Sequence, residues 1–233
     1  MVRIYSNEVV VFDLDDLLYN EFDYVRSGFW KVARTVEAND PKKLFMLMMS
    51  KYFSGEPVFD WLHDEYLVHT NHTKKASLEI YRNHKPEIKL SWEARALLEK
   101  LKRKKHPMGI ITDGRSVTQR NKIEALKLNR YTSHIIISEE FGEGKPSEKP
   151  FKYFMQVFGG HRYVYIGDNY RKDFIAPNRL GWRTIALADN GLNVNYGKEG
   201  ISQMHHPRYI ISGFNELILS AKPLHDSNIS NVP

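Results

Sequence analysis

The sequence predicts an α/β protein, a parallel sheet with helices on both faces that carries an inserted all-helical segment near its start. Three observations lead there. From residue 91 onward, short apolar runs rich in β-branched residues alternate with stretches of helical spacing, the pattern of a sheet buried on both sides. Three of the runs, the one at the start of the chain included, end abruptly in Asp13, Thr112 and Gly167. Between the first run and the second, residues 20–87 show helical spacing only.

The first strand is Glu8-Val9-Val10-Val11-Phe12, which runs straight into Asp13, Asp15 and Asp16. Phe22, Val25, Phe29, Val32 and Val36 then form one helical stripe, broken at Asn39-Asp40-Pro41. A second helix is predicted through Leu44 to Phe53, and a third opens at Pro57 and runs through Trp61, Leu62 and Tyr66. A fourth covers Lys75 to Asn83, and Met46, Met48 and Met49 read as core filler.

Ser91 is placed to cap a helix whose buried face is Ala94, Leu97, Leu98 and Leu101. Met108 to Ile111 is a short strand ending at Thr112-Asp113-Gly114, and a helix through Ile123 and Leu126 leads to a strand at His134 to Ile137. Phe151, Phe154, Met155 and Phe158 mark the next helix, and Tyr163 to Ile166 the strand that breaks at Gly167-Asp168. A helix from Phe174 to Leu180 stops at Gly181 before the strand Arg183 to Leu187. Tyr209-Ile210-Ile211 is read as the last strand, Glu216 to Ala221 as a short helix, and 222–233 as a polar, frayed tail.

Composition narrows the function classes. The chain has 233 residues, 42% hydrophobic and 12% aromatic, enough for a proper core. It has no cysteine, which removes disulfides, thiolate metal sites and cysteine nucleophiles together. No apolar run approaches the roughly 18 residues that span a bilayer, and the first run is short and leads into acids, unlike a signal peptide. A soluble, cytoplasmic protein without a membrane partner is expected. Net charge of +6 and pI near 9.3 raise nucleic acid as a partner. The one dense basic run, Lys100 to Lys105, closes a predicted helix, where cations complement the dipole, so no nucleic-acid partner is expected. Small anionic substrates fit the sign of the charge.

In an open parallel sheet, ligands gather at the carboxyl ends of the strands. Here those ends read Asp13-Leu14-Asp15, Thr112-Asp113-Gly114 and Gly167-Asp168, with Gly142-Glu143-Gly144-Lys145-Pro146 between the last two. Two acids that close to the end of an apolar strand repel each other unless something positive joins them, and a hard divalent cation is the natural occupant. Carboxylates, a hydroxyl, glycine-flanked amides and one lysine are what phosphoryl transfer asks for. Competing readings are weaker. A phosphate-binding P-loop around Gly142-x-Gly144-Lys145 fails because Glu139 and Pro146 stand where Gly and Ser/Thr belong. The pairs His69 with His72 and His205 with His206 lack a supporting ligand cluster.

The order Asp13-x-Asp15, Thr112, Lys145 and Gly167-Asp168-x4-Asp173 resembles the four motifs of the haloacid-dehalogenase superfamily of hydrolases, and the helical insert resembles that family's C1 cap. The match covers residues 8 to 220. It implies a Rossmann-like core domain of residues 1–19 and 88–233, a cap of residues 20–87, and the phosphatase branch of the family. By that resemblance Asp13 is the nucleophile that forms a phosphoaspartyl intermediate, and Asp15 is the general acid and base. Thr112 and the amides around Asp113 and Gly114 would hold phosphate oxygens, and Lys145 would neutralise both Asp13 and the phosphoryl group. Mg²⁺ would be held by Asp13, the Asp15 backbone carbonyl and Asp168, with Asp173 acting through water or a neighbouring ligand.

The chain departs from the family at Leu17, where many relatives carry Thr. Lys149 competes with Lys145, but Pro146 and Phe151 sit at the family's spacing from Lys145. An acid at Asp15 favours an alkoxide leaving group over a halide, hence a phosphatase over a dehalogenase. Arg115, directly after Gly114, is the candidate for substrate contact, with Arg26 and Lys31 as further cap candidates. The expected substrate is a small phosphorylated metabolite, a sugar phosphate or nucleotide. The alternatives are a phosphomutase on the same core and a non-catalytic binding protein.

Overall fold

The computed structural model describes residues 1–68, 70–194 and 202–221. The chain opens with β1 (Val2–Tyr5) and then β2 (Glu8–Phe12), whose five residues are all buried. Next comes the helical segment: α1 (Glu21–Val36), α2 (Pro41–Phe53), α3 (Val58–Trp61) continued by a π-helical turn over Leu62–Tyr66, and α4 (Lys74–Asn83). Local chemistry sets these starts. The Asp40 side chain accepts from the Lys43 amide with Pro41 in the first turn, and Thr73 accepts from the Ala76 amide.

From Ser91, whose hydroxyl accepts from the Ala94 amide, the chain alternates. It runs through α5 (Trp92–Arg103), β3 (Met108–Thr112), α6 (Ser116–Ala125), β4 (Ile135–Ile137), α7 (Ser138–Phe141) and α8 (Lys149–Val157). It continues through β5 (Arg162–Gly167), α9 (Ile175–Arg179), β6 (Arg183–Leu187), β7 (Tyr209–Ile211) and β8 (Leu217–Ser220).

Six strands form one parallel sheet in the order β4-β3-β2-β5-β6-β7, with β2 between β3 and β5. Val10 is level with Met108 and Val164, and Phe12 with Ile110 and Ile166, so three adjacent strands end together. Alternation along the strands feeds two separate cores. Val10, Phe12, Ile110 and Ile166 join Leu98 and Ile123 of α5 and α6 on one face. Val9, Val11, Ile111 and Tyr165 join Phe151, Phe154 and Ala176 of α8 and α9 on the other. A third cluster consists of residues between Val25 and Leu67, so the helical segment has its own apolar centre. It is tied to the sheet through α6, where Thr118 donates to the Arg82 carbonyl and Asn121 to the carbonyls of Asn83 and His84, satisfying the end of α4.

Three expectations need correction. Residues 217–220 are a strand, not a helix, and pair in parallel with β1, which places Leu217 beside Val2 and Leu219 beside Ile4. A short apolar run suits either form, and a partner more than two hundred positions away decides it. The helix expected from Pro57 to Tyr66 changes to π-helical hydrogen bonding at Leu62. Of the three methionines expected in the core, Met48 and Met49 are buried but Met46 is exposed. The tail at 222–233 and His69 lie outside the described residues.

Gly109 sits in mid-strand because the Phe154 ring occupies the space above it: a Cβ there would lie 1.9 Å from a ring carbon. Gly109→Ala is therefore expected to destabilise the fold by about 1–3 kcal/mol. Urea unfolding checks this, with a lower midpoint and an unchanged slope; an unchanged midpoint would refute it.

Candidate active site

The site grows from the ends of β2, β3 and β5. The Asp13 amide donates to the Ile166 carbonyl at 2.9 Å, which extends the β2–β5 ladder one step and fixes the carboxylate at the sheet's rim. The chain then turns sharply, with Asp16 at φ 54°, a left-handed conformation uncommon for a residue with a side chain. The Asp16 carboxylate holds that turn by accepting from the amides of Glu21 and Val194. Leu17, the departure from the family noted in the sequence, is buried in the core.

Lys145 lies between two carboxylates, 2.7 Å from Asp13 and 2.7 Å from Asp173, with its side chain wholly covered. Its ammonium also donates to the Tyr165 hydroxyl at 3.1 Å. Lys149, the competing lysine, is a surface group paired with Glu143. Asp173 is occupied on both sides, because its second oxygen accepts from the amides of Asp168 and Asn169. Gly167 makes this possible, since a Cβ there would fall 2.4 Å from that oxygen. One carboxylate oxygen from each of Asp13, Asp168 and Asp173 lies within 4.8 Å of the others. Two oxygens on opposite sides of one Mg²⁺ are about 4 Å apart, so the donor set and its spacing fit a small hard cation. Asp173's commitments to Lys145 and two amides leave Asp13 and Asp168 as the better placed direct donors.

Asp15 is gripped by three donors. Lys122 of α6 reaches it at 2.7 Å, Gln119 at 2.8 Å, and the Tyr19 hydroxyl completes the set. Gln119 also donates to the Thr112 hydroxyl and the Asp113 carbonyl, so it ties the ends of β2 and β3 together. The Asp113 carboxylate takes the Lys145 amide on one oxygen and lies 3.3 Å from Lys172 on the other. The Gly114 amide donates to the Ser138 hydroxyl, so in this arrangement that amide is occupied by protein. Arg115 is exposed and faces a groove shared with Lys74, Lys75 and Arg82 of α4, apart from the acid cavity. Arg26 and Lys31 are likewise outside the cavity lining, Arg26 being paired with Asp23. His72 bonds Ser77 and His205 bonds Ser202.

The cavity itself is small, about 180 Å³. Six carboxylate residues line it (Asp13, Asp15, Asp16, Glu21, Asp113 and Asp168), together with Asn169 and Lys172. Burial pushes the Asp13 carboxyl up to about 6, with Asp173 adding to the push and Lys145 opposing it. Asp168 is driven well above the usual carboxylate range by burial and by its neighbours Asp173 and Asp13. Burial acts on Asp15 as well, but Lys122 and the hydrogen bonds outweigh it and hold that carboxyl below its ordinary value. Glu21, 3.4 Å from Lys122, is raised to about 7, chiefly by burial and by Asp15.

Gln119, Lys122, Glu21 and Lys172 were not singled out in the sequence. Gln119 and Lys122 could have been, because they share a helical stripe with Ile123 and Leu126, and polar residues on an apolar stripe need a buried partner. Lys172 lies inside the Asp168–Asp173 segment at a position that the motif leaves open.

This chain belongs to the haloacid dehalogenase-like hydrolases, whose family model matches residues 10–187. It is 28% identical over 236 residues to the glyceraldehyde 3-phosphate phosphatase of Methanocaldococcus jannaschii, covering 92% of this chain and 97% of that protein. A pyrimidine 5′-nucleotidase of Escherichia coli is 33% identical over 115 residues, covering 47% of each. Among solved structures, a magnesium-bound HAD-hydrolase from Bacillus subtilis superposes with a TM-score of 0.58 at 18% identity, over 90% of this chain and 96% of that one. The fold is thus shared across distant sequences. Among the described residues no helix is long and apolar enough to cross a membrane.

The crowded acids make a stability prediction. The folded protein holds the Asp168 proton more tightly than the unfolded chain does. Ionising Asp168 therefore costs stability once pH rises past the ordinary carboxylate value, and the cost disappears below it. Asp168→Asn is expected to melt a few degrees higher than the parent at pH 8 with chelator present, and the gap should close toward pH 4. A lower melting temperature for the variant at pH 8 would contradict the repulsion.

Proposed function

We propose that this chain is a Mg²⁺-dependent phosphatase that hydrolyses a small phosphate monoester through a phosphoaspartyl intermediate on Asp13. The observation that carries the reading is the convergence of Asp13, Asp15, Asp113 and Asp168 on one cavity, with Lys145 clamped against the proposed nucleophile. Asp13 and Asp168 would hold the metal with the Asp15 backbone carbonyl, and Asp173 would steady the set. Bound there, Mg²⁺ would supply positive charge to the carboxylates and to the phosphoryl oxygens.

The chemistry of the chain's own groups then runs in two steps. An Asp13 oxygen attacks phosphorus, the bond to the ester oxygen breaks, and Asp15 gives its proton to the departing alkoxide. Asp15, now a carboxylate, takes a proton from water, whose oxygen attacks the phosphoaspartyl phosphorus and frees Asp13 and inorganic phosphate. The grip of Lys122, Gln119 and Tyr19 favours the carboxylate that the second step needs. A phosphoryl dianion entering the cavity raises the proton affinity of its neighbours, which favours the acid that the first step needs. Thr112 is wholly buried and lies behind the cavity lining, where its hydroxyl accepts from Gln119, so meeting a phosphoryl oxygen would need a shift of that side chain.

The helical segment, residues 20–87, serves as a cap on a catalytic domain made of residues 1–19 and 88 onward. It contributes Glu21 to the cavity wall. A cavity of about 180 Å³ suits a short ester, and the near full-length likeness to archaeal phosphatases makes glyceraldehyde 3-phosphate the first substrate to try. Other sugar phosphates and nucleotides follow.

The test is phosphate release from a panel of phosphorylated metabolites. Turnover is expected with Mg²⁺, none with chelator, and Asp13→Asn should lose at least about a thousandfold in kcat. Absence of release from every ester in the presence of Mg²⁺ would sink the proposal. A finer check concerns Asp15. Asp15→Asn should cost far more in kcat/KM for an alkyl phosphate than for a nitrophenyl phosphate, whose leaving group departs without a proton. Equal losses would remove Asp15 from the acid role.

A further inference from the structure

The geometry points to Lys172 as a second cation on the transferring phosphoryl group, beside Lys145, which is held against the nucleophile. This rests on the phosphatase reading above and deepens it.

The two lysines differ in where they can reach. Lys145 has no exposed side-chain surface, and its ammonium is spent on Asp13, Asp173 and the Tyr165 hydroxyl. It does not line the acid cavity. Lys172 does, and is the only basic residue among the described ones that does so. About a third of its side chain is exposed, and its ion pair is a single contact of 3.3 Å with Asp113. That carboxylate is already engaged on its other oxygen by the Lys145 amide, so it keeps a donor when Lys172 moves away.

A lysine in this position can exchange one carboxylate oxygen for a phosphoryl oxygen at little cost, since both partners carry negative charge. The phosphoryl group needs such a donor. As the bond to the leaving oxygen breaks, charge builds on the equatorial oxygens, and a cation already aimed at them stabilises the transition state more than the ground state. The rest of the lining is six carboxylate residues and Asn169, so among the described residues Lys172 is the cation that the lining itself supplies. The backbone also favours the placement. Lys172 and Asp173 lie in the turn after β5, where both of their amides donate to the Asn169 carbonyl. That turn carries Asp168 and Lys172 to opposite functions, one facing the metal position and the other the phosphate.

The test uses the full chain with Mg²⁺ and compares Lys172→Met, Lys172→Arg, Asp113→Asn and a surface control, Lys149→Met, each checked for fold by circular dichroism. Lys172→Met is expected to lose about a hundredfold in kcat/KM on a nitrophenyl phosphate. It should weaken competitive inhibition by inorganic phosphate at least tenfold and leave the Mg²⁺ concentration for half-activation unchanged. Lys172→Arg should recover part of the loss, and Lys149→Met should match the parent. The inference is overturned if Lys172→Met stays within about twofold of the parent in both kcat/KM and phosphate inhibition. It is also overturned if Asp113→Asn alone reproduces the losses and the double variant is no worse, because Lys172 would then act only by holding Asp113. If the parent releases no phosphate from any ester, the phosphatase reading fails by itself. Calorimetric binding of inorganic phosphate to the parent and to Lys172→Met then decides the lysine separately: a tenfold weakening supports it, and equal affinities refute it.

Discussion

The structure depends on one buried ammonium. Lys145 joins Asp13, at the end of β2, to Asp173, in the turn after β5, and its own amide reaches Asp113 at the end of β3. Three adjacent strands are thus tied at their carboxyl ends by one side chain and its backbone. Strands in a sheet are spaced about 4.8 Å apart, so loops leaving neighbouring parallel strands can converge within about 10 Å. They do so only if their like charges are offset. A carboxylate without a partner in so dry a place would give up its charge or disrupt the turn around it. The lysine offsets part of that charge and leaves a deficit, which the cavity carries as raised proton affinities at Asp13 and Asp168.

The same constraint explains why close backbone approach recurs around the site. Gly167 lets the Asp173 carboxylate lie against two amides, and Gly144 lets Asp113 approach the Lys145 loop, where a Cβ would come within 2.5 Å of a carboxylate oxygen. Asp16 takes a left-handed backbone so that its carboxylate can gather the amides of Glu21 and Val194. These are local costs, and the two cores on either face of the sheet supply the stability that sustains them.

What the sequence disclosed follows from how local each signal is. Asp13 and Asp15 are legible because an apolar strand ending in alternating acids is a pattern within a few residues. Lys145 is legible through its neighbours Pro146 and Phe151. The sheet follows from alternation of strand and helix, which needs no knowledge of the partner strand. The β1–β8 pairing does not follow, because it joins the two ends of the described chain and each strand, though alternating in burial, is only four residues long. Gln119 and Lys122 belong to helix α6, and their role depends on which carboxylate that helix happens to face. The occupied Gly114 amide was equally hidden, since Ser138 reaches it from the start of another helix.

The net charge of the chain and the charge of its cavity have opposite signs, and the difference is informative. With +6 overall, the protein attracts anions at long range, yet the cavity wall carries six carboxylate residues against one lysine. A phosphate dianion entering such a space meets repulsion that is stronger than in water, because burial lowers the local dielectric. Steering by the outer surface does not remove that barrier, and removing the carboxylates would remove the proposed nucleophile and acid. On the reading proposed above, a divalent cation held by Asp13 and Asp168 would lower that barrier and at once relieve the repulsion between those acids. Metal affinity, substrate affinity and local stability would then be coupled through the same pair of side chains. On that reading, a change that eases one of them at Asp168 would be felt in the other two.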